Sequence, residues 1–162
     1  MTHLAYLSLG SNMGERGGHL RDAMTRLEAS GRIVSVSSFY ETEPVDFTDQ
    51  AWFLNCAVAL ETPESPEELM ASILRIEHRM GRRRIQRKGP RIIDIDILLF
   101  DDAVVASPAL TIPHPAMHER RFVLQPLAEI AADAKDPVRK KNVQELLDAL
   151  PVGQQVRKYQ GS

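Results

Sequence analysis

The sequence predicts an α+β fold: one domain over residues 1–162, with a β-α-β-β-α-β core and a C-terminal extension of short elements. Three observations predict it. Four apolar stretches of strand length are interleaved with two longer stretches of helical period. The second helical stretch opens on a complete capping signature. At 162 residues the chain has room for one proper core and not for two.

The elements follow in order. Leu4–Leu9 reads as a strand. Residues 15–29 read as a helix, with Leu20, Ala23, Met24 and Leu27 at helical spacing. "RIVSVSSFY" (32–40) reads as a second strand, and 41–51, with Pro44 and scattered acids, as a long loop. Phe53–Leu60 is a third strand. In "SPEELMASILRIEHRMG", Ser65 caps a helix, Pro66 takes its first position and Glu68 completes the S-x-x-E box. Leu69, Ile73, Leu74 and Met80 define that helix's apolar stripe, and Glu77 falls near its middle. Either the helix turns by then and exposes the carboxylate, or Glu77 is a buried hydrogen-bonding group facing a site. A strand over Ile92–Phe100 closes the core, in the ferredoxin-like split βαβ order. Short elements follow, including "VLQPLAEIAAD", a helix near Val143–Leu150 and a polar tail.

Composition is that of an ordinary globular protein, 43% hydrophobic and 26% charged. The longest apolar runs, "CAVAL" and "IDILLF", fall far short of the roughly 20 residues of a membrane span. The chain enters its first strand directly, without a basic then apolar leader. A single cysteine, Cys56, excludes a disulfide framework and reads as a small buried hydrophobe. The expectation is a cytoplasmic protein without membrane contact.

The chemistry gathers around "KGPRIIDIDILLF" (88–100). Strand alternation puts Ile93, Ile95, Ile97 and Leu99 on one face, and Asp94, Asp96, Leu98 and Phe100 on the other. Two carboxylates at i and i+2 stand roughly 6–7 Å apart and repel. One reading is an edge strand with a wet face; the other is a divalent metal site, since Mg²⁺ takes carboxylate and phosphate oxygens. Directly before them, seven of the thirteen residues 79–91 are Lys or Arg and none is acidic. The other 149 residues hold 13 basic and 22 acidic groups. Gly81, Gly89 and Pro90 make the second half of this segment a loop. Arginine forks match phosphate oxygens, so the pair and the loop suit a polyphosphate, although a solvated basic loop or a nucleic-acid contact fits the charge run alone. Downstream, His114 and His118 have i, i+4 spacing, but no cysteine or third ligand accompanies them. Phosphate contacts by His114 and Arg120 suit the chain better than zinc.

Taken together, "YLSLGSN" (6–12), "SSFYETEPV" (37–45), "FLNCAVALET" (53–62), "IEHRMGRRR" (76–84), "GPRIIDIDILLF" (89–100) and "PHPAMHERRFVLQPL" (113–127) resemble the 6-hydroxymethyl-7,8-dihydropterin pyrophosphokinases of folate biosynthesis. The resemblance implies transfer of the pyrophosphoryl group of ATP to the hydroxymethyl oxygen of the reduced pterin, with release of AMP. It implies two Mg²⁺ ions on Asp94 and Asp96, and Arg82 and Arg91 closing over the phosphates with help from Arg84 and Arg87. It assigns Glu77, Thr111, His114, Arg120 and the Ile97 backbone to the nucleotide. It places the pterin between Phe53 and Phe122, its edges read by Thr42, Asn55 and the Val45 backbone. ATP and the pterin are the expected partners, with no nucleic acid, in a monomer. Departures from the family pattern are Lys88 where an aromatic is usual, Glu43, Pro115 and Phe53; they bear on loop closure rather than on the reaction.

Two other readings fit parts of the chain. A nucleotidyltransferase pairs a Gly-Ser turn with D-x-D at short range, but over eighty residues separate Ser11 from Asp94. An RNA-binding module stacks bases on sheet aromatics, whereas aromatics are 6% here and the pI is near 6.2.

Overall fold

The computed structural model describes residues 2–43, 52–81, 91–153 and 155–159. Its centre is an antiparallel sheet. β1 (His3–Ser11) lies between β4 (Phe53–Thr62) and β5 (Asp94–Phe100), all three deeply buried. β4 in turn pairs with β2 (Arg32–Val36) along Val58–Glu61 and with β3 (Tyr40–Thr42) along Phe53–Asn55. A last strand, β10 (Val156–Lys158), adds itself to the outside of β3. The path is β10-β3-β4-β1-β5, with β2 on the same side of β4 as β3.

Four α-helices cover this sheet among the described residues: α1 (Arg16–Leu27), α2 (Pro66–Arg79), α3 (Arg121–Ala131) and α4 (Val143–Asp148). On the back face, Leu7, Leu9, Leu54, Val58, Ile95 and Ile97 form one core with Leu20, Leu27, Leu69 and Ile73 of α1 and α2. On the front face, Ala57, Leu98 and Leu99 form a second core with Leu124 and Leu127 of α3 and Val143 and Leu146 of α4. α2 begins with the expected capping box: Ser65 Oγ accepts the Glu68 N–H and Glu68 returns a bond to the Ser65 N–H. α4 begins with a second, built from Asn142 and Glu145. Short ribbons β6 (Val105–Ala106) with β7 (Thr111–Ile112), and β8 (Lys135–Asp136) with β9 (Lys141–Asn142), fill the connections.

Several expectations need correction. The strand expected over 32–40 is two strands. At Ser37 the hydroxyl accepts the Ala57 N–H, and Ser38 donates from both its N–H and its hydroxyl to Glu129, so serine side chains take over from the ladder. Directly before β2, position 31 calls for glycine, because a Cβ there would come within 2.0 Å of the Glu61 carbonyl oxygen. In α2 the buried stripe is Leu69, Ser72, Ile73, Ile76 and Glu77, whereas Leu74 is exposed. Leu69, Ile73, Ile76 and Met80 keep the i, i+4, i+7, i+11 spacing of one face, and Leu74 is 100° off Ile73. The strand expected from Ile92 begins at Asp94, and the tail contributes β10 rather than running free.

The facing of β5 also changes along its length. Leu7 pairs with Ile97 but Tyr6 pairs with Leu99, so Leu98 is an extra residue. This bulge reverses the pleat. Leu99 therefore joins Leu98 in the front core and Phe100 turns to the back core, opposite to strict alternation.

Candidate active site

α3 and α4 cover the front face around Ala57, Leu98 and Leu99. At the other end of that face, β5, β1, β4 and β3 bring together the polar residues that the sequence singles out. Asp94 stands across from Gly10 and Asp96 across from Ser8, so both carboxylates share the front face as alternation requires. Their side chains keep 29% and 35% of their exposure. Gly10 also pairs with Asn55 on its other side. A Cβ at Gly10 would lie 2.7 Å from Asn55 Nδ2 and 3.6 Å from the Phe53 ring, so only glycine lets the Asn55 amide lie across β1 toward the aspartates. Thr42 Oγ1 donates to Asn55 Oδ1 at 3.0 Å, and both residues are buried. That bond fixes the amide's oxygen toward β3.

Arg91 enters from the side of the arginine-rich segment. Its guanidinium stands 3.6 Å from Asp94. Its backbone is locked to Asn12: the Arg91 N–H donates to Asn12 Oδ1 at 2.7 Å, and the Asn12 N–H donates to the Arg91 carbonyl at 3.0 Å. Asn12 is buried. Sequence reasoning gave it no role, although an Asn directly after a Gly-Ser strand end is a turn signal that could have found it.

His114 approaches from behind β7. Its backbone N–H donates to the Leu98 carbonyl at 3.0 Å, and its Nε2 stands 3.8 Å from Asp96 Oδ1. That spacing would make an ion pair if the ring were protonated. Burial first, and the Arg120 charge second, hold its pKa down to about 4 against an opposing pull from Asp94. The ring is therefore neutral near pH 7. Nδ1 accepts the Ala116 N–H at 3.1 Å, which leaves the ring proton on Nε2, facing Asp96. Arg120 itself lies with its guanidinium 5.6 Å from the centre of the Phe122 ring, in the first turn of α3.

Glu77 resolves in favour of burial. It is 3% exposed, and its Oε2 accepts the Ile95 N–H at 2.9 Å. It therefore binds the outer edge of β5, the side away from β1. The two-residue period turns the Ile97 backbone to that same edge. Thr111 lies exposed on β7, three residues before His114. Val45, Arg82, Arg84, Arg87 and Lys88 lie outside the described residues. Cys56 is buried in the back core, and burial pushes its thiol up to about 12, as befits a packing residue rather than a nucleophile.

Comparison with known proteins matches this chain to one family. The model of the 7,8-dihydro-6-hydroxymethylpterin-pyrophosphokinases covers residues 6–132. The chain belongs to that family. It is 48% identical to the 2-amino-4-hydroxy-6-hydroxymethyldihydropteridine pyrophosphokinase of Bacillus subtilis over 132 residues, 80% of this chain and 79% of that one. It is 44% identical over 158 residues to the folic acid synthesis protein fol1 of Schizosaccharomyces pombe, but spans only 21% of that longer chain. The fold also matches a crystal structure of Plasmodium falciparum HPPK-DHPS with pterin and p-hydroxybenzoate, at TM-score 0.73 and 18% identity, over 91% of this chain and 42% of that one. The pyrophosphokinase family assignment thus rests on sequence, and the structural match adds the frame.

Proposed function

We propose that this chain transfers the pyrophosphoryl group of ATP to the hydroxymethyl oxygen of 6-hydroxymethyl-7,8-dihydropterin, giving the pterin diphosphate and AMP, a step of folate synthesis. The observation that carries the reading is the junction at Gly10, where a pair of half-open aspartates and a buried amide–hydroxyl pair meet on one sheet face. A phosphate binder and a heterocycle reader stand side by side there, as a transfer between those two substrates requires. The β1-α1-β2/β3-β4-α2-β5 order, with β1 and β4 inside, supports reading the frame as ferredoxin-like.

The donor set suits magnesium. Asp94 and Asp96 offer two hard carboxylates that are partly exposed to solvent. No group of three or more His, Cys, Asp and Glu side chains forms a metal cage among the described residues. Mg²⁺ commonly takes one or two carboxylates and completes its shell with phosphate oxygens and water, which is the set that ATP would bring. Two bound ions would neutralise the phosphate charge and ease loss of the hydroxymethyl proton.

The chain's own residues then do the positioning. Arg91, held by Asn12, stands where a phosphate oxygen beside Asp94 would meet a guanidinium. Arg82, Arg84 and Arg87 are assigned to the same phosphates. Neutral His114 offers an Nε2 proton to an oxygen near Asp96, and Arg120 supplies charge behind it. Glu77 keeps the β5 edge in place for the nucleotide by holding Ile95, so the Ile97 backbone can meet adenine; Thr111 borders that side. The flat pterin ring is assigned to Phe53 and Phe122. Thr42 and Asn55, with the Val45 backbone, read its edges. The site works within one chain and calls for no nucleic acid or membrane. The test is to supply ATP, Mg²⁺ and the reduced pterin and to follow nucleotide products by chromatography. AMP in equal amount to pterin diphosphate is expected; ADP as the product would reject the reading.

A further inference from the structure

Behind the pterin-reading residues, on the opposite face of the same strands, lies a charged cluster that the reaction does not use. Strand alternation puts Thr42, Phe53 and Asn55 in front and Glu41 behind. Glu41 accepts a bond from Arg16 Nη2 of α1 at 3.0 Å and one from Arg157 Nη2 of β10 at 3.4 Å. The same two arginines grip Trp52. Arg16 Nη1 donates to the Trp52 carbonyl at 2.7 Å, and the Arg157 guanidinium stacks 4.3 Å from the Trp52 ring centre. Trp52 directly precedes Phe53. Arg16 and Glu41 are largely covered, with side chains 19% and 16% exposed.

β10 reinforces this bracket. Val156 pairs with Thr42 and Arg157 with Glu41. The Gln155 N–H donates to Glu43 Oε1 and the Glu43 N–H returns a bond to the Gln155 carbonyl. At its other end the Tyr159 N–H donates to the Phe39 carbonyl, and Arg16 lies over the Tyr159 ring at 5.4 Å. Without β10, β3 would be a three-residue edge strand, the kind that frays most easily. The family model ends at residue 132, well before β10.

We infer that Arg16, Glu41, Arg157 and Trp52 form a positioning cluster that sets pterin affinity from the back of the sheet. The cluster fixes β3 against the start of β4, and so keeps the Thr42–Asn55 bond and the Phe53 ring where a flat heterocycle can use both. Glu41 lies behind the sheet and Asp94 and Asp96 in front of it, so the ATP side is indifferent to the cluster. Planarity matters at Arg157, because one guanidinium must stack on an indole and reach a carboxylate together. This inference rests on the pterin reading given above.

The experiment uses the full chain and two Arg157 variants. Arg157 is 55% exposed at its side chain, so Arg157→Ala leaves the core intact. Arg157→Ala is expected to raise the pterin KM and the directly measured pterin Kd by about tenfold, with ATP KM within about twofold and kcat nearly unchanged at saturation. Arg157→Lys, which keeps the charge and loses the fork, should recover only part of the loss. Removal of residues 155–162 should exceed both. Equal losses for ATP and pterin would overturn the inference, because they would mean general support of the fold. Unchanged pterin affinity in a chain that binds the pterin would overturn it alone. A wild-type chain that binds no reduced pterin would overturn the proposed function and this inference with it.

Discussion

Two carboxylate settings in this molecule differ in how far they are shut away from solvent. Asp136, the last residue of β8, is fully buried. Its Oδ1 accepts the Val138 and Arg139 N–H groups at 2.8 and 3.0 Å, and its Oδ2 meets the Arg139 guanidinium at 2.8 Å. Burial alone would raise its pKa, but these bonds outweigh burial and hold it below the usual aspartate range. Asp94 and Asp96 keep about a third of their exposure, with the Arg91 guanidinium 3.6 Å from one and His114 Nε2 3.8 Å from the other. A sealed carboxylate holds a fold together, whereas an open pair on a rigid strand can accept a cation from outside. The strand supplies rigidity, and Ser8 and Gly10 opposite supply room.

Exchanging charge for amide at the two settings should separate them. Asp94→Asn or Asp96→Asn should cost turnover about 100- to 1,000-fold, some 3–4 kcal/mol of barrier, with thermal stability unchanged or slightly raised because like-charge repulsion is relieved. AMP formation at ordinary Mg²⁺ and a melting curve check both halves, and near wild-type turnover would remove the pair from the reaction. Asp136→Asn should do the reverse. Losing one partner of a buried charged network should cost stability by about 2–4 kcal/mol in denaturant unfolding, with turnover retained where the variant is folded.

The same exchange has a pH signature. Because the folded pKa of Asp136 is depressed, its contribution is complete above the ordinary value of 3.8 and is lost as pH falls from there through the lower folded value. The stability gap between wild type and Asp136→Asn should therefore narrow in that acid window. A gap that stays constant would show that the group does not titrate with unfolding.

Phe122→Ala should weaken pterin binding by about 1–3 kcal/mol through lost stacking and burial, with ATP binding nearly untouched. Equal losses for both ligands would recast the ring as a support of α3. The smallest effect is expected at Glu129, a third setting between the two extremes. It is exposed, yet it accepts from the Tyr40 hydroxyl at 2.6 Å and from Ser38. Burial, then the Glu129 bond and charge, push the Tyr40 hydroxyl up to about 12. Glu129→Gln should lower that pKa part of the way, as read by phenolate absorbance, while stability changes by less than about 1 kcal/mol.

Much of this was legible in the sequence because the signals were local. The Ser65–Glu68 box, the helical spacing of Leu20 and Leu27 and the D-x-D alternation each depend on residues within one turn or one pleat. What stayed hidden depends on neighbours distant in the chain. Nothing near Leu98 announces that Tyr6 and Leu7 skip a residue opposite it. Ser37 and Ser38 interrupt a β-prone run only because Ala57 and Glu129 come to meet them. Arg157 sits in a tail that reads as polar filler, and its meaning comes from Glu41 and Trp52, over a hundred residues earlier. Asn12 was visible as a turn residue, yet its lock on Arg91 joins positions 79 apart.

The extra residue in β5 has a further consequence for how this chain can vary in length. Upstream of Leu98 the pleat points acids outward and isoleucines into the back core; downstream it feeds Leu99 to one core and Phe100 to the other. Deleting one residue between Ile97 and Leu99 would restore even spacing and turn Phe100 out of the back core, or else shift the aspartates off the front face. Either repair sacrifices one end of the strand for the other. Insertions and deletions should therefore be excluded from 94–100, and from Asp101, which is bonded to His3 and Leu4, yet accepted just beyond it at the exposed Asp102.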